Sequence, residues 1–418
     1  MLPTVETPAK NFNAYKSIIP KSLFSEVKAL AKELKGTKVI MINATPRGGG
    51  VAEILQSLVP LMKGLGIKAE WQVIPPRKEF FNLTKELHNA LQGKNFSLRF
   101  ESRKLYQRYI EKTAFLMLDD KEADVWVVHD PQPAGLIQYL SDAEFHPLIS
   151  RIHIDTTYPD KETWNFIKSF LLQYDKVVFS HKDFAHKDIP RDKRVIMPPA
   201  IDPFTPKNKE MPFSKAKDIL RAFGINSAKP LMAQVSRFDP WKDPIGVIEA
   251  YRAVKKKVPN VQLALVGLFL ASDDPEAKKI FKQAKQAANN DPDIFLFSDP
   301  NYLGDLSVDS FVNAFQTGSD VILQKSIREG FGLVVAEAMW KAQPVIGGNV
   351  GGIKLQIKDG KNGFLVSSPE EAAEKTIYLL HNPDIKKTMG KAAKRTVSKK
   401  FLMPRLLRDY LKLFKQLL

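Results

Sequence analysis

The sequence has no cysteine in its 418 residues, so it offers no disulfide, thiolate nucleophile or sulfur ligand for a metal. It also lacks a run of about eighteen apolar residues, which a membrane-spanning helix would need. The first residues, MLPTVETPAKNFN, contain no apolar segment of the kind found in a secretory signal. We therefore expect a protein that is made and kept in the cytoplasm, without integral membrane association.

Acidic residues are few relative to basic ones: 46 Asp and Glu stand against 63 Lys and Arg, for a formal net charge of +17. Such an excess attracts anions, whether nucleic acid, anionic lipid or a phosphorylated small molecule. The lysines, however, are dispersed in short groups such as 255–257, 386–387 and 399–400, whereas nucleic-acid binding usually needs a clustered basic face. Most of them are interpreted as solvated surface residues, and no nucleic-acid partner is predicted.

Short apolar segments alternate with amphipathic ones, which is typical of parallel sheets covered by helices. In the first half, strands are predicted at 38–44, 69–74, 124–130, 148–155, 176–181 and 194–200, and helices at 51–65, 82–91 and 101–121. A linker is indicated by the five prolines of 198–212. Beyond it, strands are predicted at 230–238, 261–267, 293–299, 320–326 and 344–350, and helices at 244–257, 274–289, 307–317 and 330–342.

This order predicts an α/β protein with two doubly wound, Rossmann-like domains, 1–205 and 206–400, that face one another across a cleft. The amphipathic segment 401–418 is predicted to be a helix that packs back on the first domain. Ligands of such sheets bind at the carboxyl ends of the strands. Each distinctive polar loop of this sequence follows a predicted strand, which suggests a shared site.

The loop TPRGGG follows the first strand and carries Gly48, Gly49 and Gly50. Glycines let backbone amides approach an anion at a helix N-terminus, although a tight strand-to-helix turn needs glycine for its own conformation. Because the loop is not a GxGxxG motif, a nicotinamide-binding fold is disfavoured.

The loop SRFDPWKDP follows the first strand of the second domain. Arg237 offers a planar fork of donors and Lys242 a mobile point charge, a combination suited to a diphosphate. In the alternative interpretation, Arg237 pairs with Asp239 and Lys242 lies in solvent.

The segment IREGFGLVVAEAMW places Glu329 before a helix and Glu337 inside it, among apolar neighbours. Eight residues of helix separate them by about 12 Å, roughly the span from a sugar across a pyrophosphate to a ribose. Their carboxylates can accept hydrogen bonds from hydroxyls, and phosphate can bind between them at the helix-start amides of Gly330, Phe331, Gly332 and Leu333. Alternatively, Glu337 is a buried charge satisfied by a structural partner.

Two further strand ends carry histidine and aspartate: His129 with Asp130, and His153 with Asp155. Sugar contact and structural hydrogen bonding both fit these pairs. Their spacing fits no common zinc site, so no metal is predicted.

The motif of Glu329 and Glu337 with seven residues between them, followed by PVIGGNVGGIKLQIKDGKNGFLV, resembles the signature of family-four retaining glycosyltransferases with the GT-B fold. Together, HDPQPAGL, RFDPWKDP and AEWQVI are similar to the trehalose synthase and trehalose phosphorylase branch of that family. The similar blocks extend from about residue 36 to residue 366.

The resemblance implies that Arg237 and Lys242 neutralise the donor diphosphate, that Glu329 contacts the donor sugar and that Glu337 holds the ribose. The glycines at 48–50 would close over the phosphates, and Asp130 would contact the acceptor. It further implies transfer with retained α configuration from a nucleoside-diphosphate glucose, without a metal or another cofactor.

The leading hypothesis is the reversible formation of trehalose from such a donor and glucose. The alternatives are a phosphate-dependent trehalose phosphorylase, a glycosyltransferase with another acceptor such as a lipid, and a non-catalytic binder of nucleic acid or anionic membrane. A homodimer is compatible with the sequence. The sequence does not specify which nucleotide base the donor carries.

Overall fold

The computed structural model describes residues 2–117, 123–140, 147–268 and 275–418. The chain divides into two units, one formed by Met1–Ala200 with Met403–Leu418 and the other by Ile201–Leu402. The boundaries predicted from the sequence, at 205 and 400, lie five residues after and two residues before these divisions. No helix in the described ranges is long and apolar enough to cross a membrane.

Unit 1 is built on a parallel six-stranded sheet with the strand order β2-β1-β3-β4-β5-β6. Its strands are β1 (Lys38–Asn43), β2 (Lys68–Val73), β3 (Val125–His129), β4 (Leu148–Ile152), β5 (Lys176–Phe179) and β6 (Arg194–Ile196). Its first helices are α1 (Lys21–Glu33), α2 (Gly50–Gly64), α3 (Lys78–Leu91), α4 (Phe100–Phe115) and α5 (Lys161–Leu171). Every residue of β3 and β4 is buried, as expected of strands covered on both faces. The end of the helix predicted at 101–121 lies outside the described residues.

Unit 2 has the same architecture, with the strand order β12-β11-β10-β7-β8-β9. Its strands are β7 (Leu231–Val235), β8 (Gln262–Val266), β9 (Ile294–Phe297), β10 (Val321–Gln324), β11 (Val345–Gly348) and β12 (Gly363–Val366). Its helices are α6 (Phe213–Ala222), α7 (Pro244–Lys255), α8 (Pro275–Ala288), α9 (Val308–Gly318), α10 (Leu333–Trp340), α11 (Gly351–Gln356), α12 (Pro369–His381) and α13 (Pro383–Lys400). The prediction of two doubly wound, Rossmann-like sheets is confirmed.

The last helix, α14 (Met403–Leu417), returns to unit 1. Lys412 pairs with Glu26 of α1 at 2.6 Å, and Lys415 pairs with Glu33 at 2.5 Å. Arg405 donates to the carbonyl oxygens of Pro198 and Pro199 at 2.7 and 2.8 Å. These contacts fix both ends of the segment on unit 1.

In both sheets the strand order reverses direction at one point, between β1 and β3 in unit 1 and between β7 and β10 in unit 2. At such a point, the connections that leave the two neighbouring strands run to opposite faces of the sheet. The loops at the carboxyl ends of these two strands therefore border a crevice. All the candidate site loops except those after β4 follow one of these four strands.

Candidate active site

The loops that follow β7 and β10 meet at the carboxyl edge of unit 2. The strands pair in parallel, with Val321 beside Met232. Ile327 donates its backbone N–H to the carbonyl oxygen of Trp241 at 2.9 Å, and the ammonium of Lys325 pairs with Asp243. Two motifs that lie far apart in the sequence therefore form one surface.

Lys242 and Glu329 form an ion pair in this surface, with 2.7 Å between Nζ and Oε2. Only 18% of the lysine side chain and 10% of the glutamate side chain are exposed. The hydroxyl of Ser326 donates to the same carboxylate oxygen at 3.2 Å. Lys242 therefore does not lie in solvent, and the sequence-based alternative that placed it there is wrong.

The start of α10 is held by close backbone packing. Gly332 adopts φ +80°, a left-handed conformation that favours glycine. A Cβ on Gly352 would lie 2.3 Å from the Cα of Phe331, and the N–H of Gly352 donates to the carbonyl oxygen of Glu329 at 3.0 Å. The amide of Gln356 donates to the carbonyl oxygens of Phe331 and Gly332 at 2.5 and 3.2 Å. The helix-start amides from Gly330 to Leu333 thus sit in a loop whose shape is fixed before any ligand arrives.

Arg237 is placed differently from Lys242. Its side chain is 61% exposed and its guanidinium lies 3.4 Å from the carboxylate of Asp239. Asp239 also accepts a hydrogen bond from the N–H of Trp241 at 2.8 Å. The Arg237–Asp239 pair is the one anticipated in the alternative interpretation, and an exposed pair of this kind holds the arginine weakly. Its diphosphate role stays a prediction.

Glu337 is 1% exposed and has structural partners. Its carboxylate lies 3.1 Å from the ammonium of Lys207 and accepts a hydrogen bond from Gln316 at 2.9 Å. Burial raises the pKa of Glu337, but Lys207, Lys341 and the Gln316 hydrogen bond outweigh it, so the net shift is downward. Burial lowers the pKa of Lys341 to about 8. These partners match the alternative of a satisfied buried charge, and ribose binding by Glu337 stays a prediction.

In unit 1, the loop after β1 contains the three glycines. Gly48 has φ +86°, so this position favours glycine. Gly49 is the N-cap of α2 in an extended conformation, and α2 begins at Gly50. Open space surrounds a Cβ built at Gly48 or Gly49. The loop is therefore not cramped by its own unit, which leaves room for a ligand near the helix start.

The loop after β3 brings two histidines together. His129 Nδ1 lies 3.0 Å from His153 Nε2, and the rings stack with 5.3 Å between their centroids. Asp130 has φ +67°, an uncommon conformation for a residue other than glycine. Its carboxylate accepts the backbone N–H of His153 at 2.8 Å. Three of the four predicted sugar-contact residues thus form one cluster.

Asp155, the fourth, turns to its own loop. Its carboxylate accepts hydrogen bonds from the backbone N–H and the hydroxyl of Thr157 at 2.9 and 2.6 Å. The residue is 3% exposed. Its contacts are those of a turn-stabilising aspartate, and sugar contact by Asp155 stays a prediction.

Arg151 is a member of the histidine cluster that the sequence analysis missed. It pairs in register with His129 on the neighbouring strand, so both side chains lie on the same face of the sheet. It is 1% exposed, and its Nη2 donates to the carbonyl oxygen of Met197 at 2.5 Å. The signal available in the sequence was a charged residue within the apolar strand LISRI. Burying a charge is costly unless polar partners compensate it, so such a residue indicates a polar cluster.

Burial sets the protonation of this cluster. It lowers the pKa of His129 to about 3, with a further contribution from Arg151. It also lowers the pKa of His153. Burial raises the pKa of Asp130 to about 7, against the lowering effects of the His153 hydrogen bond and of Arg151. The histidines are therefore neutral near pH 7, while Asp130 gains or loses its proton there.

Two family models match the chain. The model for the N-terminal domain of trehalose synthase matches residues 41–186, and the model for glycosyl transferases group 1 matches residues 215–396. The chain is 46% identical to a trehalose synthase of Pyrococcus horikoshii over 404 residues, which are 96% of this chain and 95% of that protein. It is 44% identical to a trehalose synthase of Rubrobacter xylanophilus over the whole length of both.

Solved structures share the fold at much lower identity. The UDP-forming α,α-trehalose-phosphate synthase of Burkholderia xenovorans, solved with glucose-6-phosphate, superposes with a TM-score of 0.72 at 14% identity. The match covers 91% of this chain and 100% of that one. At this identity the likeness concerns the fold alone.

Proposed function

Because the chain belongs to the trehalose synthase family of glycosyltransferases with the GT-B fold, we propose that it transfers glucose from a nucleoside-diphosphate glucose to free glucose. The product would be trehalose, and the reaction would be reversible. The observation that carries the proposal is the Lys242–Glu329 pair, because a cation and a carboxylate lie side by side near a helix start at the reversal point of unit 2.

In this proposal the cluster of unit 2 holds the donor. Lys242, Arg237 and the helix-start amides stabilise the charge that grows on the β-phosphate as its bond to the anomeric carbon breaks. Glu329 orients the sugar through hydrogen bonds from its hydroxyls. Since Lys242 and Glu329 neutralise each other without a ligand, donor binding has to redirect the ammonium from the carboxylate toward the phosphate.

The cluster of unit 1 is proposed to receive the acceptor. Asp130 accepts a hydrogen bond from an acceptor hydroxyl. The neutral His153, whose Nε2 lies 3.0 Å from His129, offers its other ring nitrogen as a donor or acceptor. The acceptor oxygen forms the new bond to the anomeric carbon while its proton passes to the departing phosphate. This same-face route needs no metal and would retain the α configuration.

A donor and acceptor panel tests the proposal, with trehalose measured as the product. We expect trehalose from glucose and at least one of the ADP, UDP or GDP sugars, and loss of most of that activity in Glu329→Gln. Arg237→Ala separates a diphosphate role from its surface pair with Asp239, because only the former lowers turnover.

The reverse direction discriminates among the alternatives. Trehalose is incubated with a nucleoside diphosphate or with inorganic phosphate, and maltose is tested alone. Cleavage of trehalose with phosphate but not with a nucleoside diphosphate, giving glucose 1-phosphate, would indicate a phosphorylase. Trehalose formed from maltose would indicate an isomerase. Transfer to lipid vesicles but not to glucose would indicate another acceptor class.

A further inference from the structure

A basic cavity lies in unit 2 between α11 and α13. Its volume is about 360 Å³, near the lower end of the range for small-molecule sites. Five of the residues that line it are cations: Lys354, Lys358, Arg395, Lys399 and Lys400. None of its lining residues within the described part of the chain is acidic.

Folding creates this concentration of charge. Lys354 and Lys358 come from α11 and the turn after it, while Arg395 and Lys399 lie some forty residues later, on α13. All of these side chains are exposed, and across the described ranges none of the four has a carboxylate within ion-pair distance. Like charges held together repel each other, and a bound anion would relieve that repulsion.

The neutral lining residues add a fixed polar wall. Asn362, which is 4% exposed, donates to the hydroxyl of Thr396 at 3.0 Å and to the carbonyl oxygen of Gln356 at 3.1 Å. The side chain of Gln356 is 1% exposed, and its Oε1 has no hydrogen-bond partner among the described residues. A buried acceptor without a donor is costly. Because this oxygen is sealed from solvent, a ligand hydroxyl reaches it only when the cavity wall shifts.

We propose that this cavity binds a small phosphate-bearing molecule, and that its occupancy alters the loop that carries Glu329. The cations recognise the phosphate, and Gln356 accepts a hydrogen bond from a hydroxyl of the ligand. Its cations gather around one small depression and not along an extended basic face, so a small anion fits it better than nucleic acid.

The link to the loop is the same Gln356. Its Nε2 donates to the carbonyl oxygens of Phe331 and Gly332. The amide is a rigid planar group, so a ligand that binds Oε1 and moves the amide also moves the Nε2 that holds the loop. Gly352 of the same helix donates to the carbonyl oxygen of Glu329. Through these bonds, a shift of α11 would act on the backbone of the loop that carries Glu329. This second half of the proposal rests on the proposed function.

Binding is tested by calorimetry with inorganic phosphate, inorganic pyrophosphate and a hexose monophosphate. Probe that binds at the proposed donor site is retained in both variants described next, so the difference between the variants reports on the cavity. The variant Arg395→Ala/Lys399→Ala removes two lining cations. Lys387→Ala/Lys391→Ala removes the same charge from exposed positions of α13 outside the lining, and serves as the matched control.

We expect at least one probe to bind the wild type, the control to match it within about two-fold and the lining variant to bind at least about ten-fold more weakly, because charge-assisted hydrogen bonds are lost. Equal weakening in both variants, or none in either, would overturn the site. Binding of a DNA duplex through Arg395 and Lys399, without binding of any small probe, would overturn it in favour of nucleic acid. Unchanged thermal unfolding verifies that each variant is folded.

The coupling has its own readout. With the donor and acceptor supplied, the bound probe should change the transfer rate of the wild type and of the control, but not that of the lining variant. Saturable binding without any change in rate would refute the coupling and leave the site standing. Binding in a protein that transfers no sugar from any donor would refute the proposed function instead.

Discussion

The Lys242–Glu329 pair makes a prediction about stability that a double-mutant cycle can test. Removing one partner of a fully buried ion pair costs about 3–5 kcal/mol, and removing an exposed pair costs about 0–1 kcal/mol. With side chains 18% and 10% exposed and 2.7 Å between the charged atoms, this pair lies between those limits. Glutamine can still accept the hydrogen bonds of Lys242 and Ser326, so we expect a coupling energy of about 1–2 kcal/mol for Lys242→Met with Glu329→Gln.

The assay is chemical denaturation of the wild type, the two single variants and the double variant, without substrates. The matched control is the cycle of Arg237→Gln with Asp239→Asn, since that pair is 3.4 Å long with the arginine 61% exposed. Asparagine keeps the cap on Trp241, so the control should give a coupling below about 0.5 kcal/mol. Equal coupling in the two cycles would refute the inference that Lys242 is held by Glu329 in the free protein.

Three further predictions concern single residues. Burial raises the pKa of Asp130 to about 7, so the stability that its protonated form contributes is lost as the pH rises from about 4 to 7. In Asp130→Asn, this fall of the denaturation midpoint with pH should be abolished. If Asp130 acts as a carboxylate on the acceptor, the acidic limb of kcat/KM for glucose should also disappear in this variant. Gly332→Ala should lower the free energy of unfolding by about 1–2 kcal/mol because φ is +80° there. Gly49 is extended and a Cβ there meets open space, so Gly49→Ala should lower it by less. Equal losses of unfolding free energy in the two variants would contradict this. Glu337→Gln should cost about 2–3 kcal/mol in the same assay because Lys207 loses its buried partner, and an unchanged midpoint would show that the pair does not form.

Local pattern and motif were enough to predict the two sheets, because buried parallel strands are continuous apolar runs that any reading of the sequence detects. The strand order also explains why loops around 237–242 and 325–332 meet. The longer helices α1, α5, α6, α12 and α13 were not predicted, and two short elements were missed as well: β12 has only four residues, and α11 has six with two glycines at its start. Such short elements depend on tertiary packing more than on propensity.

The sequence predicted which strand end or helix start carries each site residue better than it predicted the partner of each side chain. The sequence indicated that Glu337 needs a partner, but Lys207 lies in the proline-rich linker and Gln316 on another helix, and nothing local connects either of them to Glu337. The basic cavity was missed for the same reason, since dispersed lysines along a chain give no sign of where folding will gather them.

The central claim is that Glu329 and Lys242 serve the transfer of glucose from a nucleotide donor. The most direct test follows ¹³C-labelled glucose by NMR with each nucleoside-diphosphate glucose, in the wild type and in Glu329→Gln. Losing a charge-assisted contact in the transition state costs about 1.5–3 kcal/mol, so we predict labelled α,α-trehalose in the wild type and a rate roughly ten- to a hundred-fold lower in the variant. Undiminished trehalose formation in a folded Glu329→Gln, or no transfer from any nucleotide donor, would contradict the account.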